Sequence, residues 1–235
     1  MPPTACRIMF SLLPGLVFGA AAVRAQLPEE ATPSAVAVAA LSALDRGDGR
    51  GVAARTHPQV IESARRRLLL TVIAQAGYAH AKRGDERRPA RADSSALSGP
   101  GPVPPELIAK YARTPVRGSE TPGSKRPRSL AEMASLPAEE LFAWWITQTH
   151  ETASSDPDMP AATFLPVSAV AEGDSLVHVL YRERSKEARY DEPWRVDVLS
   201  LKRDGGRWRI LLEESSLFPP DALAALTGEK PPPQP

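Results

Sequence analysis

Four side chains of this sequence could do acid–base chemistry from a strand-like or helix-junction setting: His57, His178, Tyr181 and Asp197. Asp197 lies between Val196 and Val198, two residues from Leu199, so strand alternation would set its carboxylate on an apolar face. A carboxylate held in apolar surroundings binds its proton more tightly and could then exchange it near neutrality. With His178 or Tyr181 as the second group, such a pair would suit proton transfer in a small-molecule isomerase, lyase or cyclase. The structural roles of these residue types are commoner. Asp197 would pair across strands with Arg182, Arg195 or Arg209. His178 would be a half-buried histidine with its bonds satisfied, and His57 would close a helix junction. Structure is therefore the favoured reading of all three.

Arg182, Arg184, Arg195, Arg207 and Arg209 could receive an acidic ligand or could solvate an outward face. No glycine-rich phosphate loop and no Ser-x-x-Lys occurs. Four histidines at scattered spacing make no metal cluster, so neither a metal nor a cofactor is expected.

The element that must position these residues spans 164–217. Leu176–Tyr181, Val196–Leu201 and Trp208–Leu212 are short runs of branched, aliphatic and aromatic residues, bounded by Glu172-Gly173-Asp174 and Asp204-Gly205-Gly206. We read a four-stranded antiparallel meander. A hairpin centred on Asp204-Gly205 or Gly205-Gly206 puts Leu199 and Leu201 on one face with Trp208, Ile210 and Leu212, and Asp197 joins them. A loop one residue different would put Val196 and Val198 there instead. In the first register Val196, Val198 and Leu211 make the other face apolar too. The third strand should then be central, and something must cover that face; a second copy of the chain is one candidate.

Upstream the periodicity is helical. Thr32-Pro33 places a cap and a first-turn proline before a helix over 35–46, with Val36, Ala40, Leu41 and Leu44 on one stripe and Gly47 closing it. Asp48 can cap a short helix over 51–55, which His57-Pro58 interrupts. A longer helix runs from 58 to about 81, with Arg65-Arg66-Arg67 as its wet face. Residues 82–128 hold eleven Lys and Arg against five Asp and Glu, with eight prolines. We read them as a flexible basic insertion in which only 105–113 could pack. Pro137 and two glutamates open a helix through Trp145 and Ile146, with Trp144 at the rim of its apolar face. A helical turn over 221–227 and a proline-rich tail over 219–235 end the chain.

The sequence has 235 residues, 42% hydrophobic, enough for one modest core, so a single domain over 32–218 is expected. The net charge of +1 gives no global field for nucleic acid. Arg7, an apolar run over 8–23 and Val23-Arg24-Ala25 read as a leader over 1–25, cleaved before Gln26, followed by a linker over 26–31. The expectation is an exported protein, periplasmic or extracellular, with no membrane span after cleavage. Cys6 is the one cysteine and would leave with the leader, so no disulfide is expected.

The run of helices, His57-Pro58, the helix ending Trp145-Ile146, and strands ending Gly205-Gly206-Arg207-Trp208-Arg209-Ile210 resembles exported proteins of the nuclear transport factor 2-like superfamily, including its polyketide-cyclase-like branch. That resemblance covers about 32–216 and leaves 82–128 unmatched. The family's strand between its second and third helices has no counterpart here. It implies an α+β fold in which helices close a curved sheet into a cone, with Trp145, Leu199, Leu201, Trp208, Ile210 and Leu212 lining a pocket. Some members are enzymes and others bind ligands or partners, so fold alone does not choose. With no convergent motif, a non-catalytic small-ligand-binding or protein-interaction domain is the first expectation. The proton-transfer enzyme is the alternative.

Overall fold

In the computed structural model, residues 32–82, 101–117, 126–153, 162–184, 194–213 and 217–227 are described. Residues 1–31, where a leader and a linker are expected, and residues 83–100, 118–125, 154–161, 185–193, 214–216 and 228–235 lie outside them. The chain is α+β, with helices first and a four-stranded antiparallel sheet after, in the order β1-β2-β3-β4. The sheet is open and is not closed into a barrel.

Helix α1 (Pro33–Asp45) starts as the sequence requires, with Thr32 Oγ1 accepting the Ala35 amide at 3.3 Å and proline in the first turn. It lies across all four strands and buries Val36, Ala37, Ala40 and Leu41. Asp48 caps α2 (Gly49–Ala53) by accepting the Gly51 amide at 2.9 Å. His57 then opens α3 (Pro58–Lys82), its Nδ1 accepting the Gln59 amide at 3.2 Å. This junction has a second task that the sequence did not announce. The Ile210 amide donates to Arg55 O at 2.8 Å and the His57 amide donates to Ile210 O at 3.0 Å, so the loop closes the free edge of the last strand.

Residues 101–117 are not loose insertion. Helix α4 (Pro105–Lys110) ends on buried Tyr111, and Val103 and Val116 are buried as well. Val116 donates to Arg128 O and Leu130 to Thr114 O, at 3.1 and 2.9 Å, which stitches this segment to the start of α5 (Leu130–Ser135). Composition hid this because prolines and arginines surround single apolar anchors. Helix α6 (Ala138–Ala153) is the hub of the helical layer, with Leu141, Phe142, Trp145 and Ile146 buried. Trp144, expected at a rim, is only 2% exposed. The C-terminal helix α7 (Pro220–Thr227) belongs to the domain, since Ala222 and Leu226 are buried and Leu226 O accepts the Arg117 amide at 3.1 Å. The boundary expected at 218 therefore lies beyond this helix.

Strands β1 (Thr163–Glu172), β2 (Leu176–Arg184), β3 (Arg195–Asp204) and β4 (Arg207–Leu211) form the meander. Asp204 pairs with Arg207, so the last hairpin turns on Gly205-Gly206, with φ of +53° and +81°. Two successive positive φ values are what a twist-matched two-residue hairpin needs, and glycine adopts them freely. That turn sets the register: Leu201 faces Ile210, and Leu199, Leu201, Ile210, Val177 and Val179 are buried under the helices. Strand β1 carries a bulge at Val167, next to Pro166, which has no amide for the ladder.

Candidate functional site

Tyr181 and Asp197 are register partners on the helix-covered side of β2 and β3. The Tyr181 hydroxyl donates to Asp197 Oδ2 at 3.5 Å, at the outer limit of a hydrogen bond. The Phe164 ring meets Tyr181 edge-on at 6.1 Å. Tyr181 is 6% exposed while Asp197 is exposed, because this end of the sheet projects past the helices. Asp197 Oδ1 accepts the neighbouring Val198 amide at 2.7 Å. Burial, reinforced by the negative charges of Asp197 and Glu183, pushes the Tyr181 phenol up to about 12. A phenol that holds its proton this firmly is far from the near-neutral poise a general acid or base needs.

His178 points the other way. It lies on the outer face of β2, with Nδ1 2.9 Å from Ser200 Oγ and Nε2 3.0 Å from Glu172 Oε2. The period of two separates it from Tyr181 and Asp197 by the thickness of the sheet. The three residues considered for proton transfer therefore do not converge. The six residues expected to line a pocket share the core side, where Trp145, Leu201 and Ile210 are at most 1% exposed. Trp145 stacks on Phe218 at 5.8 Å and donates Nε1–H to Leu217 O at 2.7 Å. Leu199 is buried, and Trp208 and Leu212 pack against this cluster half-buried. Trp145, Leu201 and Ile210 are so fully covered that no water-sized space lies beside them.

Two other surfaces remain. An open cleft of about 670 Å³ lies between α3 and residues 101–108, with Glu62, Arg65 and Arg66 at its polar wall and Leu69, Val103 and Ile108 below. Arg65 is already committed there, donating to Ala134 O at 2.8 Å, and Glu62 opposes the cationic wall. Among the described residues, no cluster of three or more His, Cys, Asp or Glu is placed to hold a metal, and no helix is long and apolar enough to cross a membrane.

The second surface is the outer face of the sheet. Its register places side chains in four rows. Glu172, Leu176, Lys202 and Arg209 form the row beside the first turn, followed by Val170, His178, Ser200 and Leu211. Ser168, Leu180 and Val198 come next, and Leu165, Arg182 and Val196 last. Val170 is 62% exposed and Val196 59%, and Leu165, Val167 and Val198 are also open to solvent. Five of the six large apolar side chains most exposed among the described residues therefore lie on β1 and β3. Exposed apolar side chains on β1 and β3, interspersed with Ser168, His178 and Ser200 and rimmed by Glu172, Arg182, Lys202 and Arg209, suit a protein contact surface. Sequence alternation identified Val196, Val198 and Leu211, but the contribution of β1 needed the bulge at Val167 to be known.

Compared with protein-family models, curated proteins and solved structures, the chain matches none.

Proposed function

We propose that this protein is a non-catalytic protein-interaction domain that works through the outer face of its sheet. One observation carries the reading: branched apolar side chains of β1 and β3 stand in solvent on that face, while on the opposite face the helices bury Val177, Val179, Leu199, Leu201 and Ile210. Leaving such a patch wet forgoes about 25 cal/mol for each Å² of apolar surface that a partner could cover. The separation of His178 from Tyr181 and Asp197, and the firmly protonated phenol, weigh against the proton-transfer alternative. Membership of the nuclear transport factor 2-like superfamily and export to the periplasm or the extracellular space belong to the same proposal. They rest on the helix-then-strand sequence pattern and on the leader-like residues 1–25.

A photo-crosslinking residue placed at Val198 in the native host tests the docking face, with exposed Tyr78 on α3 as the control position. Protein adducts from position 198 and none from 78 are expected. Equal yields from both positions, or none from either, would remove the outer face as a docking surface.

A further inference from the structure

Resting on that reading, we infer that the outer face receives an amphipathic helix of a different protein, acidic at both ends and apolar between, laid along the strands. The unpaired charges of the face select this occupant. Arg182 is exposed and Lys202 half-buried, and among the described residues neither has a carboxylate partner. The acid of the face, Glu172, is already engaged by His178 Nε2 at 3.0 Å. Arg209 donates from Nη1 to Ala54 O, Arg184 lies over the Trp194 ring at 5.8 Å, and Asp204 and Arg207 oppose each other at the last hairpin. What is left over is cationic, so its complement is acidic. A second copy does not supply it. Turned either way about a twofold axis in the plane of the face, it sets Lys202 and Arg182 over Leu176 and Val196, which buries both charges unpaired.

Position on the sheet gives the shape of the partner. Lys202 is the register partner of Leu176 and Val196 that of Arg182, so the two cations stand on the central strands, six residues apart along β2. That separation is about 20 Å. Val170, Leu180 and Val198 lie between them, and Leu165 and Val196 flank Arg182. The cations therefore mark the two ends of an apolar strip along the midline of the face. A single helix is about 10–12 Å across, which matches the width from β1 to β3 and brings its ends to both cations. A helix also satisfies its own backbone, as a segment lying on a sheet face rather than along its edge must. At about 1.5 Å of rise per residue, acids about 13 residues apart reach Lys202 and Arg182 together. The chain's own apolar run over 8–23 has the wrong sign for this place, since Arg7 and Arg24 flank it.

The test is fluorescence anisotropy of two synthetic peptides with the protein produced from its full coding sequence. Both peptides carry one leucine stripe at helical spacing; the first has glutamates about 13 residues apart at its ends, and its twin has lysines there. The glutamate peptide should bind at least about tenfold tighter than its twin. Arg182→Glu and Lys202→Glu should each weaken it by roughly two- to tenfold, and together they should reverse the preference. Val198→Glu should weaken both peptides by about tenfold or more. Equal binding of the two peptides, binding of neither, or a preference unmoved by both charge reversals overturns the inference. So does a protein that sediments alone as a dimer broken by Val198→Glu, or one that binds phosphatidylglycerol vesicles in preference to either peptide. Protein adducts from position 198 in the host, alongside any of those results, would leave the interaction-domain reading standing. Loss of those adducts as well would sink both.

Discussion

Trp144 and Trp145 are neighbours on α6 and both buried, yet they are held differently. Trp145 donates its indole N–H to Leu217 O and stacks on Phe218, whereas Trp144 Nε1 is buried with no hydrogen-bond acceptor among the described residues. Replacing Trp145 by Phe orphans a carbonyl and opens space, so it should cost about 2–4 kcal/mol in urea unfolding. Trp144→Phe breaks no hydrogen bond and should cost at least about 1 kcal/mol less. Tyr181 offers a second test at this scale. Its phenol has an ordinary value of 10.0 and is raised to about 12, so the folded state holds the proton more tightly than the unfolded chain. Its contribution is complete below pH 10 and fades as pH rises toward 12. Ultraviolet titration should therefore show one of the four tyrosines ionising late. The stability gap between wild type and Tyr181→Phe should shrink across that window, and a gap unchanged from pH 9 to 12 would contradict the raised phenol. That Asp197 shares a face with Leu199 was legible from alternation alone. That it lies in solvent was not, because alternation assigns a side and says nothing about how far the covering helices reach.

Among the elements, the α1–α2 corner and the last hairpin both depend on glycine, for different reasons. A Cβ on Gly49 would sit 1.9 Å from Ala143 O and 2.8 Å from Thr147 Oγ1, so α2 can approach α6 only with glycine there. At Gly206 a Cβ meets nothing within 4 Å, and only the φ of +81° resists a side chain. Gly49→Ala should therefore cost about 3 kcal/mol or more through a backbone clash. Gly206→Ala should cost about 1–2 kcal/mol through strain alone. Thermal unfolding of the two variants checks the order. The meander and the caps that open α1, α2 and α3 were readable because they rest on local chemistry, as with Thr32, Asp48 and Pro58, whereas the register stayed open between loop lengths until the turn was placed on Gly205-Gly206. The Arg55–His57 seal on Ile210 was not readable, since nothing in either segment names the other across more than 150 residues.

At the scale of the whole molecule, the domain closes through pieces that look like connectors. Val103, Tyr111 and Val116 on one side and Leu217, Phe218, Ala222 and Leu226 on the other are buried in one continuous core with α3 and α6. Arg67 lays its guanidinium over the Phe218 ring at 5.1 Å, which joins the basic turn of α3 to the C-terminal segment. Leu226→Ala should destabilise the whole domain by about 2–4 kcal/mol, in a single cooperative transition monitored by tryptophan fluorescence. A separate early transition would show that α7 is an appendage. Sparse apolar anchors among proline and arginine carry too little periodic signal to mark a packed segment. Composition therefore drew the domain too small at both its insertion and its end.

Local patterning was enough to establish the α+β class, the order of helices before strands, and which residues within each of β2, β3 and β4 share a side, while the register between strands came from the fold. Period-two alternation, capping side chains and turn glycines act over a few residues and need no distant partner. How completely the core side is filled, where His178 stands relative to Tyr181 and Asp197, and which apolar face is left wet all depend on segments far apart in the chain. Burial is a property of what arrives from elsewhere, and here the helices arrived on one side of the sheet alone.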